Sequence, residues 1–216
     1  MTSHVLRLIT DRYGSGETLQ LAGANRVLYV VEGSAIVRAG GAAAALDPNS
    51  AWCGPGAVSV AAGKAGARLL RFELVGTPAA SALQACADSR ITLAEPVALP
   101  AAEVLLRCDR VDFPPGGEAL THVHQGPGIR CLLAGAIRID AAGQSHAYRP
   151  GEAWFEAGPD PVYAAASPEG PTAFARVMVL PRTCHGKSSI RYVRPEDADR
   201  PKTQKYQIFA DEFITP

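Results

Sequence analysis

A shift of the sequence over itself by 102 residues brings Gly14–Ala62 onto Gly116–Ala164 without a gap, and 11 of the 49 pairs are identical. Four of those are alanines, common in this chain; the others are Gly14/Gly116, Gly33/Gly135, Gly41/Gly143, Pro48/Pro150, Trp52/Trp154, Gly56/Gly158 and Val60/Val162. Turn-forming residues and a bulky aromatic are what a duplicated β-fold retains, because turns fix strand register and one large side chain fills each core. A gapless match of this length predicts two structurally equivalent halves of about a hundred residues each.

Strand signals dominate both halves. Short apolar or alternating runs cover 26–31, 35–37, 68–75, 128–133, 136–140 and 174–180, each bounded by Gly, Pro or Asn. This spacing predicts an all-β sandwich or barrel in each half. One stretch, Pro78–Arg90, has helical composition and is expected to form a short connecting helix. The expected organisation is a first barrel over 1–77, a connector over 78–100, a second barrel over 101–181 and an extended polar tail over 182–216. Within that tail, Ser189–Val193 and Lys205–Phe209 are β-like, and the latter is expected to pair with the first half or with another subunit.

Charge narrows the function classes. With 21 basic and 21 acidic residues and no dense Lys/Arg cluster, the chain lacks the electrostatic footprint of a nucleic-acid binder. No run approaches the roughly 18 apolar residues that span a bilayer, and the first residues hold no signal-like apolar segment. No membrane partner and a cytoplasmic location are expected. The five cysteines are odd in number and contain no CxxC pair, which suits free thiols in a reducing compartment.

The candidate chemistry lies in one half only. His122 and His124 stand where the first copy has Gln20 and Ala22. Residues i and i+2 of a strand face the same side, about 7 Å apart along the chain, so both imidazoles aim at one point and could share a metal ion. The competing reading is a pair of rings lining a core or solvent face with satisfied hydrogen bonds. Arg130 follows the Gly126-Pro127-Gly128 turn, and alternation puts it on the face of Gly128 and Leu132. A guanidinium inside a barrel needs a partner, such as the carboxylate of a small substrate. Pointing outward after a bulge is its alternative.

The stretch from Gly116 through His122-Val123-His124 to Gly135 resembles the first signature of the cupin superfamily, and Tyr148–Val162, with Pro150-Gly151, resembles the second. The match covers most of 104–181 and, through the repeat, extends more weakly to the first half, so the chain resembles a bicupin with a degenerate N-terminal half. The resemblance implies two tandem double-stranded β-helix (jelly-roll) barrels and a metal in the mouth of the second, held by two histidines, a glutamate and a later histidine. Two ligands depart from that pattern. Gly128 stands at the glutamate position and Val162 at that of the last histidine. Glu156 lies six residues before Val162, an even interval that favours the same face, and its counterpart in the first copy is Gly54. Two histidines and one carboxylate form a recurrent site for Fe(II) that Mn, Ni or Zn also occupies. One divalent ion on His122, His124 and Glu156 is therefore expected.

The leading functional expectation is a metal-dependent cupin enzyme acting on a small carboxylated molecule. His122, His124 and Glu156 would hold the metal, Arg130 would orient the substrate, and Tyr163 and Phe155 would form the pocket walls. Oxygenase chemistry is favoured by the resemblance alone, since one fold hosts many functions. The competing class is a non-catalytic small-molecule binding module with weak or no metal. By the same resemblance a homodimer is expected.

Overall fold

A computed structural model of the chain describes residues 4–77, 84–86 and 88–216. Two compact units result, Met1–Ala102 with Ile214–Pro216, and Glu103–Phe213. Both are antiparallel β-structures, and the described residues contain no α-helix, only 3-10 turns at Arg182–Cys184 and Pro195–Asp197.

The first unit holds β1 (His4–Tyr13), β2 (Thr18–Leu21), β3 (Asn25–Ala39), β4 (Ala42–Leu46), β5 (Ser50–Gly54), β6 (Val58–Gly76) and β7 (Asp88–Val97). They form one sheet in the order β4-β3-β6-β1-β7, with β2 also on β6 and β5 also on β3. The long strands β3 and β6 break register between Val30 and Glu32 and again between Gly33 and Ala35, so each serves two stretches of the barrel wall. The core is Leu28, Val30, Val37, Leu46, Val60, Leu69 and their neighbours.

The second unit holds β8 (Val104–Phe113), β9 (Glu118–His124), β10 (Gly128–Ala134), β11 (Ile137–Ala141), β12 (Gln144–Tyr148), β13 (Ala153–Glu156), β14 (Val162–Ala166), β15 (Thr172–Leu180), β16 (Ile190–Tyr192) and β17 (Lys205–Ile214). Two five-stranded sheets, β13-β10-β15-β8-β17 and β12-β11-β14-β9-β16, enclose a core drawn from both. Trp154 is its centre. Its ring stacks on Tyr148 at 4.9 Å and meets Phe174 edge-on at 5.2 Å.

The repeat is visible in register. Leu28 opposes Trp52 and Arg26 opposes Gly54, as Arg130 opposes Trp154 and Gly128 opposes Glu156. The β3–β4 and β11–β12 hairpins turn through Gly40-Gly41 and Ala142-Gly143, all with positive φ. Gly33 and Gly135 also share a left-handed conformation, and a Cβ on Gly135 would lie 2.4 Å from Thr172 Oγ1 and 2.6 Å from the Pro171 carbonyl.

Outside the repeat the expectations need correcting. The helix expected over Pro78–Arg90 falls largely outside the described residues; Gln84–Cys86 has no regular structure, and Asp88–Arg90 opens β7, which pairs with β1. Lys205–Phe209 belongs to β17, which lies beside β8 of the second unit rather than on the first half. The polar tail thus supplies two sheet strands. Its composition concealed this because an edge strand buries only part of its surface. Of the five free cysteines, Cys108, Cys131 and Cys184 are buried and Cys53 and Cys86 partly so.

Ala142 has φ 50° in a turn position that costs an L-residue about 1 kcal/mol. Ala142→Asn is expected to raise unfolding stability by about 0.5–1 kcal/mol in urea titration, and Gly135→Ala, which adds a collision to the backbone penalty, to lower it by about 2–4 kcal/mol. Equal effects would contradict this reading of the turns.

Candidate functional site

Strand β9 delivers the histidine pair. His122 and His124 alternate inward and are only 5% and 4% exposed. Their Nε2 atoms lie 3.2 Å apart, with the rings nearly perpendicular. The site's other members come from β8, β10, β13, β14 and β15: Arg130, Trp154, Glu156, Val162 and Arg176 line the same small cavity as both histidines, and Asp109 pairs with Arg176.

Hydrogen bonding sets the tautomer of His122. His122 Nδ1 is 2.7 Å from the Leu120 carbonyl, which only accepts, so Nδ1 carries the proton and Nε2 a lone pair. His124 Nδ1 faces Ser189 Oγ at 3.4 Å, and that hydroxyl donates to Met178 Sδ. A cation on both Nε2 atoms requires the Nδ1–H tautomer of His124, whose proton Ser189 Oγ is placed to accept, whereas without a cation the 3.2 Å Nε2–Nε2 contact is a hydrogen bond in which one ring is the donor. Burial pulls the pKa of both imidazoles down, with His124 pushed well below its ordinary value by burial and then by Arg130 and Arg176. Both rings are neutral at neutral pH, and the 3.3 Å approach of His124 Nε2 to Glu156 Oε2 is not an ion pair.

Glu156 is held from two sides. Trp154 Nε1 donates to its Oε1 at 2.8 Å, and Arg130 Nη2 lies 2.7 Å from its Oε2. That ion-pair contact is not aligned as a hydrogen bond: Arg130 Nη2 and Glu156 Oε2 are both buried without a hydrogen-bond partner. Arg130 Nη1 donates to the carbonyl of Gly128 at 2.7 Å. Burial lowers the guanidinium to about 10, Glu156 opposing, so it remains charged. Beside it, Arg176 makes a two-pronged pair with Asp109 at 2.8 and 2.6 Å.

The departure at Gly128 now has a physical account. A Cβ there would lie 2.6 Å from the Val177 carbonyl, 2.7 Å from Met178 Cγ and 3.0 Å from Arg130 Nη1, so the β15 backbone and Met178, with the guanidinium behind them, leave no room for a side chain. Glu156 is Gly128's direct cross-strand neighbour. Val162, standing at the fourth ligand position, opposes His122 and lines the cavity as an apolar wall.

Among the described residues no group of three or more His, Cys, Asp or Glu side chains forms a ready metal centre. The reason is local: two imidazole Nε2 atoms converge, while the third donor, Glu156 Oε2, leans on Arg130. The donor chemistry still fits a divalent ion. Both Nε2 atoms point at one spot and are within reach of one ion, and Glu156 Oε2, 3.3 Å from His124 Nε2, needs only to turn from Arg130 to join them.

Tyr163 and Phe155 are not in this cavity. Strand alternation directs Trp154 and Glu156 inward and Phe155 away, and Val162 and Ala164 inward while Tyr163 lines an outer groove beneath Arg138. The walls are instead Trp154, Ile190, Tyr206 and core residues. Ile190 and Tyr206 come from the segment after β15, where β16 pairs with β9 so that Ile190 opposes His124 and Tyr192 opposes His122. Sequence reasoning missed Arg176, although an arginine inside the apolar run 174–180 was its signal. His146 and His185 are exposed. The first unit has no comparable pair: Gln20 is exposed and bonds Ser59.

Neutral buried imidazoles make stability depend on pH. Their folded pKa values lie below the unfolded value of about 6.5, so the unfolded chain binds more protons below that pH and stability is lost as pH falls. In metal-free protein the unfolding free energy is expected to drop by up to about 1.4 kcal/mol per pH unit for each imidazole below pH 6.5. In His124→Gln the slope should shrink, and a slope unchanged by that substitution would place the titration elsewhere.

No family model matches the chain, and no curated protein matches its sequence. Solved structures do match. Oxalate decarboxylase from Bacillus subtilis superposes with a TM-score of 0.63 at 12% identity, covering 91% of this chain and 72% of its own. Salicylate 1,2-dioxygenase from Pseudaminobacter salicylatoxidans gives 0.59 at 12% identity, over 94% and 75%. A cupin 2 conserved barrel domain protein from Leptotrichia buccalis gives 0.51 at 11% identity, over 83% and 85%. At such identities the likeness is one of fold, and that fold is the bicupin, two cupin barrels in one polypeptide.

Proposed function

We propose that the second barrel is the site of a metal-dependent cupin enzyme that acts on a small carboxylated molecule, with oxygenase-like chemistry as the reaction type. The observation that carries this reading is the convergence of two buried imidazole Nε2 atoms, 3.2 Å apart, with a carboxylate oxygen 3.3 Å from one of them. His122, His124 and Glu156 hold the ion, and Fe, Mn, Ni and Zn all suit this set. When bound, the ion supplies Lewis-acid polarisation of a substrate oxygen. Arg130 then binds and orients the substrate carboxylate, Trp154 steadies Glu156, and Ser189 keeps His124 in its ligating tautomer. The likeness in fold to a decarboxylase and a dioxygenase supports an enzyme without choosing the reaction.

The second reading is a non-catalytic small-molecule binding module with weak or no metal. The cavity has a volume of about 20 Å³, room for a single ion or water, so a small molecule enters in either reading only if side chains that line it move. The free thiols suit the cytoplasm. A homodimer is proposed through the outer edge of β17, where Tyr206 and Ile208 are 44% and 52% exposed.

Protein purified without chelator is expected to carry about one divalent ion per chain by elemental analysis, and His122→Ala to lose it, since two donors hold an ion far less well than three. No uptake of Fe, Mn, Ni or Zn by the wild-type chain would overturn the enzyme reading in favour of the binding module.

A further inference from the structure

The Arg130–Glu156 contact is a pair of unsatisfied groups. Arg130 is 1% exposed, and its Nη2 touches Glu156 Oε2 at 2.7 Å without forming a hydrogen bond, while the same oxygen lies 3.3 Å from His124 Nε2. One carboxylate oxygen is thus shared between a guanidinium and the point where the histidines converge. It cannot serve both fully. The buried charges around the cavity are two guanidinium groups, Arg130 and Arg176, and two carboxylates, Asp109 and Glu156. That set is neutral. A divalent cation added alone leaves two positive charges uncompensated in a dry site, which is strongly unfavourable.

Resting on the metal reading above, we propose that Arg130 and Glu156 form an exchange latch. A small carboxylate takes Glu156's place on Arg130, Glu156 Oε2 turns to the two Nε2 atoms, and carboxylate and divalent metal therefore bind cooperatively. Each half of the exchange satisfies a group that the closed pair leaves unsatisfied. The arriving anion meets Arg130 in line, and it also offsets the charge of the incoming cation. Trp154 Nε1, bonded to the other oxygen of Glu156, is the pivot that keeps the carboxylate in reach of both positions. The first barrel has no such latch, because the repeat places Leu28 at the position of Arg130 and Gly54 at that of Glu156.

The test is titration of the metal-free full chain with Mn²⁺, free ion being read by electron paramagnetic resonance, with and without saturating formate, the smallest carboxylate. Formate is expected to tighten Mn²⁺ binding about fivefold or more, the usual span of coupling between two sites. In Arg130→Met the Mn²⁺ affinity should no longer respond to formate. Because that variant could fail to fold, Arg130→Lys is the second variant: it keeps a buried cation but cannot grip a carboxylate with two parallel hydrogen bonds, and formate should tighten its Mn²⁺ binding severalfold less than in the wild type. Mn²⁺ binding indifferent to formate, or weakened by it, overturns the latch and leaves the metal site standing. Retention of the formate response in folded Arg130→Met also overturns it. Absence of Mn²⁺ binding in both conditions overturns the latch and the metal reading together.

Discussion

A guanidinium without access to water must be compensated inside the barrel, and in the second unit this requirement organises the site around Arg130. It sits at 1% exposure on β10, with its Nη1 on the Gly128 carbonyl and its Nη2 against Glu156. That geometry needs glycine at 128, because a Cβ there would collide with Val177 and crowd the guanidinium. It also needs an acidic residue nearby, and Glu156, cross-strand from Gly128, supplies it. His122 and His124 are then kept neutral by burial, with the positive charges of Arg130 and Arg176 adding to the effect.

The first unit meets the same problem without a site. Arg7, Arg26 and Arg71 converge on Glu73, and Arg71 also forms a two-pronged pair with Asp11 at 2.7 and 3.0 Å. All five are at most 4% exposed. Backbone carbonyls of Ala22, Gly56 and Gln84 take further donors from Arg26 and Arg71. Such a network is costly to break because any removed partner strands a buried charge. Two copies of one scaffold thus bury arginines differently: the first locks them into a closed network, the second leaves one facing a cavity with two histidines.

Much of this was legible in the sequence because duplication and alternation are strict geometric rules. The gapless offset anticipates the shared register of the β3–β5 and β10–β13 pairs, and the i, i+2 rule puts both histidines on one side. The same parity that places Glu156 with Val162 places Phe155 and Tyr163 on the opposite face, outside the pocket. Other features were hidden. Tyr206 and Ile190 reach the cavity from the polar segment after β15, and no local pattern in an edge strand says which sheet it will join. The halves also diverge in register where spacing changes: Val37 opposes Val60, whereas Ile139 opposes Ala164, two residues further along the repeat.

The account turns on one point in space, the gap between two imidazole nitrogens, and an anomalous-diffraction map of crystals grown with Mn²⁺ examines it most directly. The predicted result is a single strong peak between His122 Nε2 and His124 Nε2, with Glu156 rotated toward it, and no peak beside Gln20 in the first unit. A map empty at that point, with Glu156 still against Arg130, would contradict it.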